Sequence, residues 1–194
     1  MVRQQTLFVT RHSITLHKLI MLTFFSVFSL TNSFGQSKPQ EKNSVISSIR
    51  QMVRQINNYK NYEVVTIDDS EDFLGHGTDN GGTLKGYYKG ASLKKIVEWV
   101  GLSNRVVQNE YYFNKGNLVF VYSTDKRCKA NDKTGEIDCS KFEKAVKNLY
   151  YFSNGKLINA ILSDKEHEKT KQQDATDFLT SSNHYLKLLY GRRQ

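Results

Sequence analysis

The stretch "YYFNKGNLVFVYS", residues 111–123, is answered further along the chain by "YYFSNGKLINAIL", residues 150–162. Each writes Tyr-Tyr-Phe, two residues, Gly, one residue, Leu. Aromatic and β-branched residues favour strands, and an Asn or Gly between two such runs supplies the positive φ of a tight hairpin turn. Tyr-Tyr-Phe is therefore the end of an outgoing strand, and Leu opens the return strand. A third unit precedes them: "TLKGYYKG", residues 83–90, turns at Gly90 and Ala91 into "SLKKIVEWV", residues 92–100, and keeps Tyr87, Tyr88 and Leu93. The outgoing strands are "RVVQNEYYF" leading into the first quoted turn and "FEKAVKNLYYF" leading into the second.

Counted from Tyr87, Tyr111 and Tyr150, the units are spaced by 24 and 39 residues. A solenoid keeps its period, so this spacing predicts one sheet with an inserted loop. Consecutive strands pair most cheaply, which makes the sheet an antiparallel meander of about six to seven strands over residues 62–162, opened by "YEVVTID" at 62–68. Before it, Val45, Ile49, Met52, Val53 and Ile56 recur at helical spacing after the capping residues Asn43 and Ser44, predicting a helix over about 44–58. After it, Ala175, Phe178, Leu179, Ser182, Tyr185, Leu186 and Leu189 share one stripe, predicting a second helix over about 174–190 that Gly191 ends. The fold class is α+β, helices on a meander sheet.

The chain begins differently. Residues 1–18 carry Arg3, Arg11 and Lys18 without an acid, then "LIMLTFFSVFSL" runs uncharged over 19–30 and ends at Ser33-Phe34-Gly35. A basic n-region, a short apolar h-region and a small-x-small exit predict a secretory signal peptide over 1–35, cleaved between Gly35 and Gln36. The apolar run falls short of the roughly 20 residues a spanning helix needs, so no transmembrane span is expected once it is removed. Residues 36–194 then form one domain with 25 basic and 19 acidic residues, a net charge of +6. The lysines are dispersed. In an exported protein, periplasmic or extracellular, that balance suits acidic glycans or acidic partner proteins of the envelope and not nucleic acid. Cys128 and Cys139, with ten residues between them, predict one structural disulfide.

"YYFSNGKLI" is similar to the core of the MORN-variant repeat, whose units read roughly Tyr-Tyr-x-Asn-Gly-Lys-Leu and fold as serial β-hairpins. The chain also resembles small extracytoplasmic proteins of Gram-negative bacteria that pair such hairpins with flanking helices. The resemblance covers about half of the mature chain and implies a binding or scaffold module, with no catalytic residue to carry over.

Side chains alternate along a strand, so Tyr111 and Phe113 share one face and Tyr112 takes the other. With helices on one face, one tyrosine of each pair is expected to face solvent. Tyr87, Tyr88, Tyr111, Tyr112, Tyr150 and Tyr151, with Trp99 and the nearby lysines Lys85, Lys94, Lys95, Lys115 and Lys156, would then form a surface that stacks on sugars or anchors a protein. Cross-strand packing explains the same tyrosines without any ligand. Asp68, Asp69, Asp72 and Asp79, with Glu71 around "GHG", offer oxygen ligands of the kind calcium takes but lack the spacing of a calcium loop, and solvated turns account for them better. His167-Glu168 opens like a zinc-protease helix, yet Lys171 stands where the second histidine belongs. No nucleophile elbow or phosphate-binding glycine loop is present, and no cofactor is implied. The expected function is non-catalytic recognition of an envelope protein, with the basic sheet face or the disulfide loop as contact; a glycan site on the tyrosines, or a hydrolase using His76 and the acidic loop 68–79, are the alternatives.

Overall fold

A computed structural model describes residues 39–193, so the expected signal segment, with Gly35 and Gln36, lies outside the described residues. The chain runs α1 (Pro39–Asn58), β1 (Glu63–Ile67), α2 (Ser70–Leu74), β2 (Gly82–Lys89), β3 (Ser92–Leu102), β4 (Arg105–Asn114), β5 (Asn117–Ala130), β6 (Ile137–Ser153), β7 (Lys156–Ile161) and α3 (Glu166–Arg193). The strands form a single seven-stranded sheet in sequence order, every neighbour antiparallel. This is the expected α+β meander. The helices sit on opposite faces, which corrects the expectation of one solvated face. α3 and α2 cover a core of Leu84, Ile96, Tyr111, Phe113, Val121, Tyr150 and Phe152, while α1 lays Ile46, Ile49 and Ile56 over Tyr112, Phe120 and Tyr151.

The repeated motif follows from this double burial. At the turns, Lys115-Gly116 and Asn154-Gly155 all have positive φ (49°, 81°, 51° and 69°), the two-residue geometry whose twist matches paired strands. Just inside each turn the register shifts by one residue: Tyr88 pairs Leu93 but Tyr87 pairs Lys95, Phe113 pairs Leu118 but Tyr112 pairs Phe120, and Phe152 pairs Leu157 but Tyr151 pairs Asn159. The three units therefore align Tyr87 with Tyr112 and Tyr151. The first begins at Gly86, one residue earlier than the Tyr-Tyr spelling suggests. Gly86 stands where the others have Tyr111 and Tyr150 because Leu189 of α3 is seated there; an added Cβ would come within 3.0 Å of it.

Both long helices outrun their predicted bounds. α1 starts at Pro39, whose missing N–H costs nothing in a first turn. α3 starts at Glu166, with the His167 amide donating to Asp164 Oδ1 at 3.1 Å. Its first turns are Glu, Lys and Gln, good helix formers that carry no apolar period to read. It also passes Gly191 to Arg193, because Arg193 is held from outside: its guanidinium donates to Glu63 at 2.7 and 2.8 Å and to the Gly90 carbonyl at 3.0 Å, and it lies 4.4 Å over the Tyr88 ring.

Under α3 lies a buried carboxylate. Glu98 of β3 accepts from the hydroxyls of Tyr111 and Tyr185, each at 2.7 Å, and from the Asn109 amide at 2.9 Å. No cation pairs with it among the described residues. Three donors from β4 and α3 thus converge on one acceptor, and removing it strands them at a cost of about 1–3 kcal/mol per unsatisfied group. Glu98→Ala is expected to destabilise the fold by several kcal/mol and Glu98→Gln by less, about 1–3 kcal/mol, because the amide can accept only part of the set. Urea unfolding of the two variants measures this; equal stability to wild type would mean that the cluster contributes nothing.

Candidate binding surface

The structure places most of the predicted tyrosine surface inside the protein. Tyr88, Tyr111, Tyr112, Tyr150 and Tyr151 are each at most 2 % exposed, because Tyr88, Tyr111 and Tyr150 lie in the core under α3 and Tyr112 and Tyr151 in the core under α1, so neither face is left to solvent. Their row across the sheet reads Tyr87, Lys95, Tyr112, Phe120, Tyr151, Asn159, each the register partner of the next. Rings along it lie 5.5 Å (Tyr112–Phe120) and 5.0 Å (Phe120–Tyr151) apart, distances at which aromatic pairs attract. Four of the five hydroxyls are engaged too, and that of Tyr88 is buried with no hydrogen-bond partner among the described residues. Tyr112 donates to Glu110 at 2.5 Å, Tyr150 donates to Asp174 at 2.7 Å, and Tyr151 accepts from Arg50 Nε at 3.0 Å. These residues are core, and packing explains them. Only Tyr87 and Trp99 of the predicted set remain half-buried.

What faces solvent is a projection that the sequence predicted only as an inserted loop closed by a disulfide. β4 joins β5 only as far as Arg127, and β7 joins β6 only from Leu149 onward. Beyond those limits β5 and β6 pair with each other alone, forming an arm that runs out to Ala130 and Ile137. Near its end Cys128 and Cys139 are disulfide-bonded, as expected, with Cys128 only 2 % exposed. Two register shifts flank Cys128, and residues 140–145 are exposed. Asn131 closes the tip: its carbonyl accepts from Gly135, its amide donates to Glu136, and its side chain accepts from Lys133.

The arm presents Phe142 at 43 % and Ile137 at 48 % exposure among Lys126, Arg127, Lys129, Lys133, Lys141 and Lys144. Lys126 Nζ lies 5.4 Å from the centre of the Phe142 ring. Its ion pairs, Arg127 with Glu143 and Lys141 with Asp138, are exposed and contribute little to stability. The Asp138 carboxyl is held below the usual range, first by hydrogen bonds from Ser140 and then by Lys141. No sequence signal separated Phe142 from the core: Lys141 and Glu143 flank it, but buried Leu84, Leu93 and Ile96 also have a lysine beside them.

A second, half-buried cluster gathers at the far end of the tyrosine row. Tyr59 and Tyr62, past the end of α1, meet edge to face at 4.7 Å, and Tyr62 meets Tyr87 at 5.9 Å. Lys89 lies 4.4 Å from the Tyr59 ring and Lys95 4.9 Å from the Tyr87 ring. Met52, Gln55, Tyr59, Tyr62, Lys89 and Lys94 line a shallow cleft of about 220 Å³ there.

The acidic loop disperses. Asp69 caps α2, accepting from the Glu71 amide at 2.9 Å; Asp72 accepts from Arg192 at 2.5 Å; and Asp79 accepts from the Ser103 hydroxyl. Asp68 joins none of them, and among the described residues no three His, Cys, Asp or Glu side chains converge as a metal cage. His76 is exposed and its Nδ1 lies 3.1 Å from the Gly77 carbonyl.

Burial pushes Tyr88 up to about 12 and holds Tyr111, Tyr112, Tyr150 and Tyr185 above the ordinary tyrosine value, neighbouring carboxylates adding to the rise for the last four. A tyrosine raised in the folded state leaves stability intact below pH 10 and takes it away as pH rises above it, since the unfolded chain ionises first. Five such groups make stability fall by roughly 7 kcal/mol per pH unit once past pH 10, against a total of about 5–15 kcal/mol. A spectrophotometric titration at alkaline pH is therefore expected to show these tyrosines ionising together, in step with loss of circular dichroism. Gradual ionisation of a still-folded protein would mean that the rows are open to water.

No family model, curated protein or solved structure matches this chain, so the chemistry of these surfaces carries its functional reading.

Proposed function

We propose that this is an exported, non-catalytic binding module of the cell envelope whose contact with a protein partner is made by the β5–β6 arm. The observation that supports it is the pairing of exposed Phe142 and Ile137 with a basic surround on an element locked by its own disulfide. Apolar anchors rimmed by charge are what a protein interface is built around, and a pre-ordered loop loses less entropy on binding. The bonded cysteine pair fits an oxidising compartment, and no described helix is long and apolar enough to cross a membrane. The hydrolase alternative has less behind it, because Asp69, Asp72 and Asp79 each serve a separate structural contact.

One observation favours a second reading. Lys89 and Lys94 border the tyrosine cleft without a carboxylate within ion-pair distance among the described residues, an arrangement suited to an acidic glycan stacked on Tyr59 or Tyr62.

The test compares what immobilised protein retains from an envelope extract with what Phe142→Ala and Lys89→Glu/Lys94→Glu variants retain. Under the partner reading, Phe142→Ala leaves the fold unchanged and weakens capture of one defined protein by about tenfold or more, the loss expected of a central anchor, while the lysine changes are neutral. Loss of an acidic saccharide with the lysine pair alone would instead favour the cleft. Capture indifferent to Phe142 would overturn the arm as the contact.

A further inference from the structure

The sheet ends in edges of unlike character. β1 is five residues long and its Glu63 is tied to Arg193. The free side of β6 along the arm carries Lys141, Glu143, Lys144 and Lys147 and is broken by register shifts. Lysines, bulges and short length are the devices by which natural sheets prevent edge pairing. β7 carries a charge only at its first residue, Lys156. From Leu157 to Ser163 the sequence LINAILS has no acid, base, proline or glycine.

Its one bulge residue, Ile158, lies beside the turn and leaves the strand regular from Asn159 on. The chain then stays alongside β6, where the Ser163 amide donates to Asn148 and the Ser163 hydroxyl accepts from the Lys147 amide, each at 3.0 Å. Among the described residues, no hydrogen bond joins residues 156–162 to anything beyond β6. Ile161 is 43 % exposed. An uncharged edge with unused backbone donors and acceptors is a template for another strand.

We propose that β7 pairs antiparallel with β7 of a second copy, continuing the sheet across a two-fold axis. The charges at its ends select this occupant and this direction. Lys156 opens the strand and Asp164, whose Oδ1 is also taken by His167 at 2.7 Å, follows it, so an antiparallel pair brings Lys156 of each copy toward Asp164 of the other, whereas a parallel pair sets like against like. Between them the strip meets its own copy with only Leu, Ile, Asn, Ala and Ser, and no charge is buried against another. A two-fold axis normal to the sheet keeps the α1 face beside the α1 face, so each core continues unbroken. The proposal is independent of the arm, which lies at the other end of β6.

Sedimentation of the chain from Gln36 onward, disulfide intact, over a wide concentration range tests it. The native protein is expected to shift with concentration toward twice the monomer mass. Ile161→Lys changes an exposed side chain, and Asn159→Asp is isosteric and keeps the fold even where the lysine does not. Both set like charges on the strip, and both are expected to move the transition to higher concentration with circular dichroism unchanged. A native protein that stays monomeric throughout overturns the proposal. So does a dimer that both folded variants leave untouched.

Discussion

Burial of consecutive residues on opposite faces of one sheet is the constraint on which the rest of this structure depends. With α1 on one face and α3 on the other, Tyr111 and Tyr150 enter one core and Tyr112 and Tyr151 the other, so each Tyr-Tyr-Phe contributes three side chains to two layers at once. The register shift after each turn follows from it. A hairpin whose Phe pairs Leu on one face must gain one residue before its Tyr can meet Phe120 or Asn159 on the other.

Tyrosine is suited to this position because it fills volume and keeps a polar tip. The hydroxyls of Tyr111 and Tyr185 converge on Glu98, those of Tyr112 and Tyr150 on Glu110 and Asp174, and Tyr151 receives Arg50. Apart from Tyr112–Glu110, which lies within β4, each contact ties a strand to a helix or to its neighbour, so the helices are oriented by hydrogen bonds as well as held by apolar area. Glu98 does the most of this, joining β3, β4 and α3 through one carboxylate. A buried charge without a cation holds its place here through three good donors.

A core satisfied on both sides leaves the functional surface to the periphery. The arm, the Tyr59–Tyr62–Tyr87 cleft and the β7 edge are all places where a strand outlasts its neighbour or a helix ends. Rigidity and exposure are thereby separated: the sheet fixes where these features stand, and the disulfide keeps the arm ordered although little of it is buried.

Local chemistry was legible in the amino-acid sequence. Turn residues, the alternation of strand side chains, the apolar stripes of α1 and α3 and the paired cysteines determined the hairpins, the meander order and the fold class, because each depends on residues close together in the chain. Which face was solvent did not depend on such neighbours. It followed from α1 and α3 choosing opposite sides, and that choice buried the tyrosines that the alternation alone left exposed. The alignment of Gly86 with Tyr111 was hidden for the same reason, since its cause is Leu189, about a hundred residues away. The tertiary structure alone decided that Phe142 stands in solvent while Phe113 and Phe152 do not: the residues are alike, and the difference is whether a neighbouring strand and a helix reach them.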